Sequence, residues 1–128
     1  MNNTDAPRII IRVIIRTKVI SFNDIDIKDM GRMNAKDSES AKQQLTKWSG
    51  VWIKDYEDRC WYFDTLLNRM FRFLKPRTKC IQELPKHWYK QISLVAYSEK
   101  RKLPGLVIKN ADLVTIGRLG FNLDVDWY

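Results

Sequence analysis

The segment RIIIRVIIR, residues 8–16, is typical of a β-strand with one fully buried face. Its odd-numbered positions from 9 to 15 are all Ile or Val, whereas Arg12 and Arg16 interrupt the even-numbered positions. Side chains that branch at Cβ pack well on a pleated sheet. The segment therefore predicts a strand with one buried and one mixed face, and a second extended piece is predicted over residues 19–27.

A helix is predicted within RCWYFDTLLNRMFRFLKPRTK, residues 59–79. Six apolar residues of this stretch recur at helical spacing and define one face: Phe63, Leu66, Leu67, Met70, Phe71 and Leu74. Asp58 is the candidate N-cap, because a carboxylate there accepts a hydrogen bond from the first helical turn. Pro76 is expected to end the helix near Leu74, because the residue before a proline avoids helical backbone angles.

A shorter helix is predicted over residues 40–50. The tetrapeptide SAKQ at its start has the form of a capping box, and apolar residues follow it at helical spacing. Gly50 suits the C-terminal cap. The preceding polar segment DMGRMNAKDSES, residues 29–40, is interpreted as a loop.

The last third of the chain is predicted to be rich in strands. KQISLVAYS predicts a strand around Ile92 to Tyr97, and LPGLVIKNADLVTI predicts two short strands around a turn at Asn110. In FNLDVDWY, residues 121–128, apolar residues alternate with polar ones, which predicts a half-buried strand with an acidic outer face.

The order strand, helix, helix, several strands predicts an α+β fold, with one mostly antiparallel sheet and two helices packed on it. At 128 residues the chain is long enough to bury one core. We expect a flexible N-terminus over residues 1–7 and a single globular domain over residues 8–128.

Positive charge is concentrated in one part of the chain. The net charge is +8, but residues 65–111 hold eleven Lys and Arg against two Glu, a net charge of +9 for this part alone. Such concentration is typical of a surface that binds nucleic acid or an anionic membrane. No secretory signal or transmembrane segment is expected, because arginines interrupt the apolar run at residues 8–16. With only two cysteines, an intracellular (cytoplasmic) location is expected.

Residues that common enzyme sites require are scarce. His87 is the only histidine, and with Cys60 and Cys80 it makes three potential zinc ligands where a structural site typically needs four. No glycine-rich phosphate loop is present. We therefore expect no enzyme, metal, cofactor or small-molecule substrate. The alternative is a metal-dependent nuclease built on DIK, residues 26–28, because acid-x-Lys combines a Mg²⁺ ligand with a charge-stabilising lysine.

Two clusters of cations form the predicted contact surface. One follows the helix of residues 63–74 and continues past Pro76, and the other is EKRK, residues 99–102, at a predicted hairpin tip. Trp88 and Tyr89 lie between cations and are predicted to stack on bases or to lie at a membrane interface. The predicted polyanion-binding residues are Arg69, Arg72, Lys75, Arg77, Lys79, Lys86, Lys90, Lys100, Arg101 and Lys102.

The order of elements resembles the core of rhabdovirus matrix proteins over about residues 8–105. A short helix ending in Trp48 is followed by VWIKDY, by RCWYF, by an apolar helix that closes before Pro76, and by KHWYKQISLVAY. The PPxY budding motif is absent, and the chain is short for that family. The resemblance implies a viral, basic, non-enzymatic scaffold that condenses nucleoprotein and binds anionic membrane, and it transfers no functional residue.

We therefore predict a basic scaffold protein that engages RNA or nucleoprotein, with an anionic membrane as a further partner. Self-association would use the strand of residues 121–128. The alternatives are a dedicated nucleic-acid-binding protein, and an inhibitor or interaction module that docks its basic face on an acidic protein. A scaffold is expected to self-associate and bind vesicles, a nucleic-acid binder to prefer RNA or DNA, and a module to capture one protein stoichiometrically.

Overall fold

The structure is a computed structural model that describes residues 5–17, 25–27, 30–35, 50–98 and 102–128. Its strands are β1 (Arg8–Thr17), β2 (Ile25–Ile27), β3 (Gly31–Ala35), β4 (Gly50–Arg59), β5 (Tyr89–Tyr97) and β6 (Asn122–Trp127). Its helices are α1 (Asp64–Leu74), α2 (Thr78–Gln82) and α3 (Asn110–Leu119), and a 3₁₀ turn over Lys75–Arg77 connects α1 with α2.

The described strands form one sheet in the order β2-β3-β4-β1-β5-β6. Neighbouring strands are antiparallel except for β5 and β6, which run parallel. Parallel neighbours need a crossover connection, and α3 lies in that connection. The predicted α+β fold with a mostly antiparallel sheet is confirmed.

Strand β1 lies inside the sheet, between β4 and β5, and shows the predicted alternation. Its four odd-numbered residues from 9 to 15 have 0% exposed surface. On its other face Arg8 pairs with Glu57, and Arg12 donates to Asp55 across the β1–β4 ladder at 2.7 and 2.9 Å. The prediction of one buried and one mixed face is therefore confirmed.

Helix α1 packs its apolar face against β1 and β4. Leu66, Met70 and Leu74 are fully buried at the predicted spacing, and the helix ends at Leu74. These three side chains cover the buried face of β1, so the main core lies between α1 and the sheet.

The predicted N-cap at Asp58 is wrong. Strand β4 continues to Arg59, because its ladder with β1 runs as far as the pair of Arg8 and Arg59. Asp58 is therefore a strand residue, and its carboxylate accepts a hydrogen bond from the Arg59 amide at 2.7 Å. The helix begins only at Asp64.

Backbone contacts with a distant loop hold the start of α1. The Phe63 amide donates to the Gly105 carbonyl at 3.0 Å, and the Gly105 amide donates to the Trp61 carbonyl at 2.6 Å. A Cβ at Gly105 would lie 2.6 Å from the Tyr62 ring, so a larger residue there would force this ring to move.

Two sequence interpretations are wrong. Residues 31–35, predicted as part of a loop, form β3, which pairs with β2 and with the start of β4. Of the two short strands predicted around Asn110, the first does not form, since residues 102–109 contribute only an isolated bridge between Gly105 and Tyr62. Residues 110–119, predicted to hold the turn and the second strand, form α3. A short apolar run has no decisive period. The buried residues of α3 are Ile116 and Leu119, three positions apart, and this helical face packs beside β6 and α2.

The strand predicted at the end of the chain is confirmed as β6, but the prediction that it is half-buried is wrong, because Leu123 and Trp127 are exposed and only Val125 is partly buried. It pairs with β5 of its own sheet, and Asp124 and Asp126 are exposed beside each other on its outer face. Within the extended piece predicted over residues 19–27, Ile25–Ile27 forms β2. Residues 19–24 of that piece and residues 40–49 of the predicted short helix lie outside the described residues.

Replacing Gly120 with alanine is expected to lower the free energy of unfolding by about 1–2 kcal/mol. Gly120 ends α3 with a φ of +77°, and a Cβ there would lie 2.9 Å from Lys90 Nζ. Gly117→Ala is the matched control, because a Cβ at this helical position meets no atom within 4 Å. The control should stabilise the protein by up to about 1 kcal/mol. Urea unfolding measures both, and equal losses would contradict the capping role.

Candidate anion-binding groove

An open groove of about 360 Å³ lies between β4 and α1, on the face of the sheet that the helix covers. Its volume is at the lower end of the range of about 300–1,000 Å³ that is usual for ligand sites. Four of its six lining residues are cationic and none is acidic. The lining residues are Lys54, Tyr56, Arg69, Arg72, Phe73 and Arg77.

Strand β4 forms one wall of the groove. Lys54 and Tyr56 are two positions apart and therefore project from the same face of the strand. Their register partners in β1 are Val13 and Ile11, both fully buried. Tyr56 is only 5% exposed, whereas Lys54 is half-buried. The ladder with β1 thus fixes the backbone from which both side chains extend.

Helix α1 and the 3₁₀ turn form the other wall. Arg69, Arg72 and Phe73 lie at spacings of three and four, which places them on one side of the helix. Arg77 follows Pro76, and its Nη1 donates to the Phe73 carbonyl at 2.9 Å. This hydrogen bond turns Arg77 back over the end of α1 and brings it into the groove.

Aromatic rings hold the cations close together. The Arg77 guanidinium lies 3.9 Å from the centre of the Phe73 ring, and Lys54 Nζ lies 4.8 Å from the same ring. Arg69 lies 5.5 Å from the centre of the Tyr56 ring. Attraction to a ring face offsets part of the repulsion between neighbouring positive charges. Trp52 stacks with Phe73 at a centroid distance of 6.0 Å and supports this wall from the core.

The hydroxyl of Tyr56 is buried and forms no hydrogen bond with any described residue. Burial raises the pKa of Tyr56, although the positive charges of Arg69 and Arg77 act in the opposite direction. The phenol is therefore neutral at physiological pH and keeps a proton to donate. A buried polar group without a partner costs about 1–3 kcal/mol, so an acceptor that reaches it is favoured.

Three of the ten predicted polyanion-binding residues line the groove: Arg69, Arg72 and Arg77. Lys75, which the sequence placed beside them, is directed toward α3 instead. Its Nζ lies 3.7 Å from a carboxylate oxygen of Asp112, which partly neutralises its charge.

The other predicted cations are dispersed over the fold. Lys79 on α2, Lys86 before β5 and Lys102 after β5 are exposed, and none of them lines the groove. These three lysines therefore do not contribute to the lining of the groove. Two predicted residues lie outside the described residues: Lys100 and Arg101.

The segment HWYK is separated from the groove by β1, which lies between β4 and β5. Trp88 is half-buried against the core, and the Tyr89 hydroxyl donates to Gln91 Oε1 at 2.8 Å. Lys90 Nζ donates to the Leu119 carbonyl at the C-terminus of α3, and burial lowers its pKa. These residues make contacts within the fold, and their predicted stacking and anion-binding roles stay predictions.

Sequence reasoning missed Lys54, Tyr56 and Phe73. A signal for the first two was present, because Trp52, Lys54 and Tyr56 alternate through VWIKDY as one face of a strand. Phe73 follows Arg69 by four positions, which is the spacing of neighbours on a helix. The strand face and the helix face meet only through tertiary packing, which no local sequence pattern predicts.

Three observations on the described residues concern metal binding and nucleophilic chemistry. Within the described ranges no three His, Cys, Asp or Glu side chains lie close enough to hold a metal ion. Burial raises the pKa of the Cys60 thiol, which disfavours the nucleophilic thiolate, and its Sγ donates to the Tyr62 carbonyl at 3.1 Å. Of the DIK motif, residues 26–28, the structure describes only the backbone of Asp26 and the residue Ile27.

Comparison of the chain with protein-family models, curated proteins and solved structures found no match. The resemblance to rhabdovirus matrix proteins therefore stays a prediction. Among the helices in the described ranges, none combines the length and apolar character that crossing a membrane requires.

Proposed function

We propose that this is a non-enzymatic binding protein whose groove between β4 and α1 holds the phosphate backbone of single-stranded RNA. The observation that carries the proposal is the charge of the lining, which combines one lysine and three arginines with no acidic side chain. Lys and Arg bind phosphates without reading the bases, so the binding is expected to tolerate different sequences.

The shape of the site supports a nucleic-acid strand over a membrane surface. A flexible single strand enters a groove and follows its cations, as in other proteins that bind single strands. A planar bilayer contacts protruding side chains, whereas Tyr56 is buried and Lys54 is half-buried. The anionic membrane that the matrix resemblance implies is therefore a competing outcome of the test.

Within this proposal the protein acts inside the cell as a scaffold on RNA or nucleoprotein, the role that the resemblance to viral matrix proteins implies. Sequence-tolerant phosphate contacts suit a protein that covers a long polyanion at many positions. Self-association of the scaffold stays part of the prediction, and β6 is its candidate edge because it is the last strand of the described sheet.

A salt titration of binding to a fluorescent single-stranded RNA tests the proposal. Contact with three or four phosphates gives a slope of log affinity against log salt of about −2 to −3, at about −0.7 per phosphate. The comparison is vesicles of phosphatidylcholine and phosphatidylserine at equal phosphate concentration.

Tighter binding to RNA than to vesicles, with that slope, supports the proposal. Failure to bind RNA even at low salt overturns it. Binding to vesicles in place of RNA would then assign the basic surface to a membrane. Binding to neither would leave an acidic protein as the partner, which stoichiometric complex formation would identify.

A further inference from the structure

The side chains of the groove include no group that can accept a hydrogen bond from the Tyr56 hydroxyl. Lysine and arginine only donate hydrogen bonds, and the phenyl ring of Phe73 offers no conventional acceptor. The Tyr56 hydroxyl is accordingly without a hydrogen bond to any described residue, although it is buried. The missing component is an acceptor, and four cationic neighbours favour one with negative charge.

We propose that one phosphate group of the bound strand occupies a defined position in the groove, where the Tyr56 hydroxyl donates a hydrogen bond to a phosphoryl oxygen. The inference rests on the proposed function and adds a localised phosphate site to a basic surface that otherwise binds without fixed register. Phosphoryl oxygen is the shared chemistry, and either an internal phosphodiester or a terminal phosphate of the strand supplies it.

The geometry assigns different tasks to the cations and to the tyrosine. Lys54 Nζ and the Arg69 guanidinium each lie 5.5 Å from the centre of the Tyr56 ring. Both side chains are flexible and positively charged, so they can move toward a phosphate that approaches beside the ring. The phenol itself is held by β4 and by its burial against the core. The cations thus provide attraction, and the hydroxyl determines where the phosphate stops.

The proposal predicts effects of opposite sign on stability and on binding. In the protein without ligand the hydroxyl is desolvated and unpartnered, which disfavours the folded state. Its removal should therefore leave the unfolding midpoint equal or higher while it weakens phosphate binding. A hydroxyl with a purely structural role would give a lower midpoint instead.

The experiment compares Tyr56→Phe with Tyr62→Phe, which removes the same group from a ring that is 66% exposed and does not line the groove. The probes are a 5′-hydroxyl RNA oligonucleotide, the same oligonucleotide with a 5′-phosphate, and inorganic phosphate as competitor. Tyr56→Phe should weaken RNA binding about tenfold with an unchanged salt slope, because no charge is removed. Tyr62→Phe should bind like the parent protein.

The arms of the experiment separate the two sources of phosphate. A terminal phosphate is supported if the parent protein prefers the 5′-phosphorylated RNA and inorganic phosphate competes with it. In that case Tyr56→Phe should lose the preference. Equal binding of the two oligonucleotides, with equal losses in Tyr56→Phe, supports an internal phosphodiester.

If Tyr56→Phe binds RNA like the parent protein, with the same salt slope, the localised phosphate site is overturned and the proposed function stays intact. A loss of affinity with a lower unfolding midpoint also overturns the inference, because the hydroxyl is then structural. Absence of salt-dependent RNA binding by the parent overturns the proposed function and this inference with it.

Discussion

Replacing Arg69 and Arg72 together with glutamine is expected to weaken binding to single-stranded RNA by about 30-fold at about 0.1 M salt. Both arginines line the groove from α1, and both are exposed enough to reach a phosphate. Loss of two solvent-exposed contacts with phosphate at about 1 kcal/mol each gives this factor. The salt slope should become less steep by about 1.4, at about 0.7 per lost phosphate contact. Fluorescence anisotropy at several salt concentrations measures both effects.

The matched control removes the same number of charges outside the groove. Lys109 and Arg118 are exposed next to and within α3, and neither lines the groove. Their joint replacement by glutamine is expected to change the affinity less than about threefold, through net charge alone. Equal losses in the two double variants would show that overall charge, and not the groove, governs binding.

Replacing Ile11 with alanine is expected to lower the free energy of unfolding by about 3–4 kcal/mol. Ile11 has 0% exposed surface and lies opposite Tyr56 of β4 on one side and Leu94 of β5 on the other. Removal of three carbons there leaves a cavity at the centre of the sheet, where hydrogen bonding on both sides limits collapse of the backbone. Equilibrium unfolding in urea measures the loss.

Ile10→Ala is the matched control, because it makes the same chemical change one residue away on the same strand. Ile10 lies on the mixed face, opposite Glu57 and Val95, and is only partly buried. It should cost about 1 kcal/mol, since less apolar surface returns to water. A cost at Ile10 that equals or exceeds the cost at Ile11 would contradict the assignment of the buried face.

Strong periodic patterns predicted the fold where one face of an element is buried. The alternation in β1 and the helical spacing in α1 each describe a single face that packs on one neighbour, so local sequence contains the necessary information. The wrong predictions concern weaker patterns. The segment that contains α3 includes apolar residues without a decisive period. The helix lies in the crossover connection that the parallel strands β5 and β6 require, and this pairing is not visible in the local sequence.

The candidate site could be predicted only in part, for a related reason. Arg69 and Arg72 share a helix face, so their spacing indicated that they act together. Lys75 has the same spacing, yet its pairing with Asp112 depends on where α3 packs. The contribution of Tyr56 depends on the register between β4 and β1 and on the placement of α1. These contacts join residues that are distant in sequence, so local patterns and composition do not predict them.

The most direct test is an NMR titration of the ¹⁵N-labelled protein with a short single-stranded RNA. We expect the largest amide shifts at residues 54–56, 69–75 and 77, together with shifts of the side-chain Nε–Hε signals of Arg69 and Arg72. Shifts of these signals that saturate with the RNA would support phosphate binding in the groove. Saturating RNA binding that leaves them unmoved, with the largest shifts on α3 or β6, would contradict it.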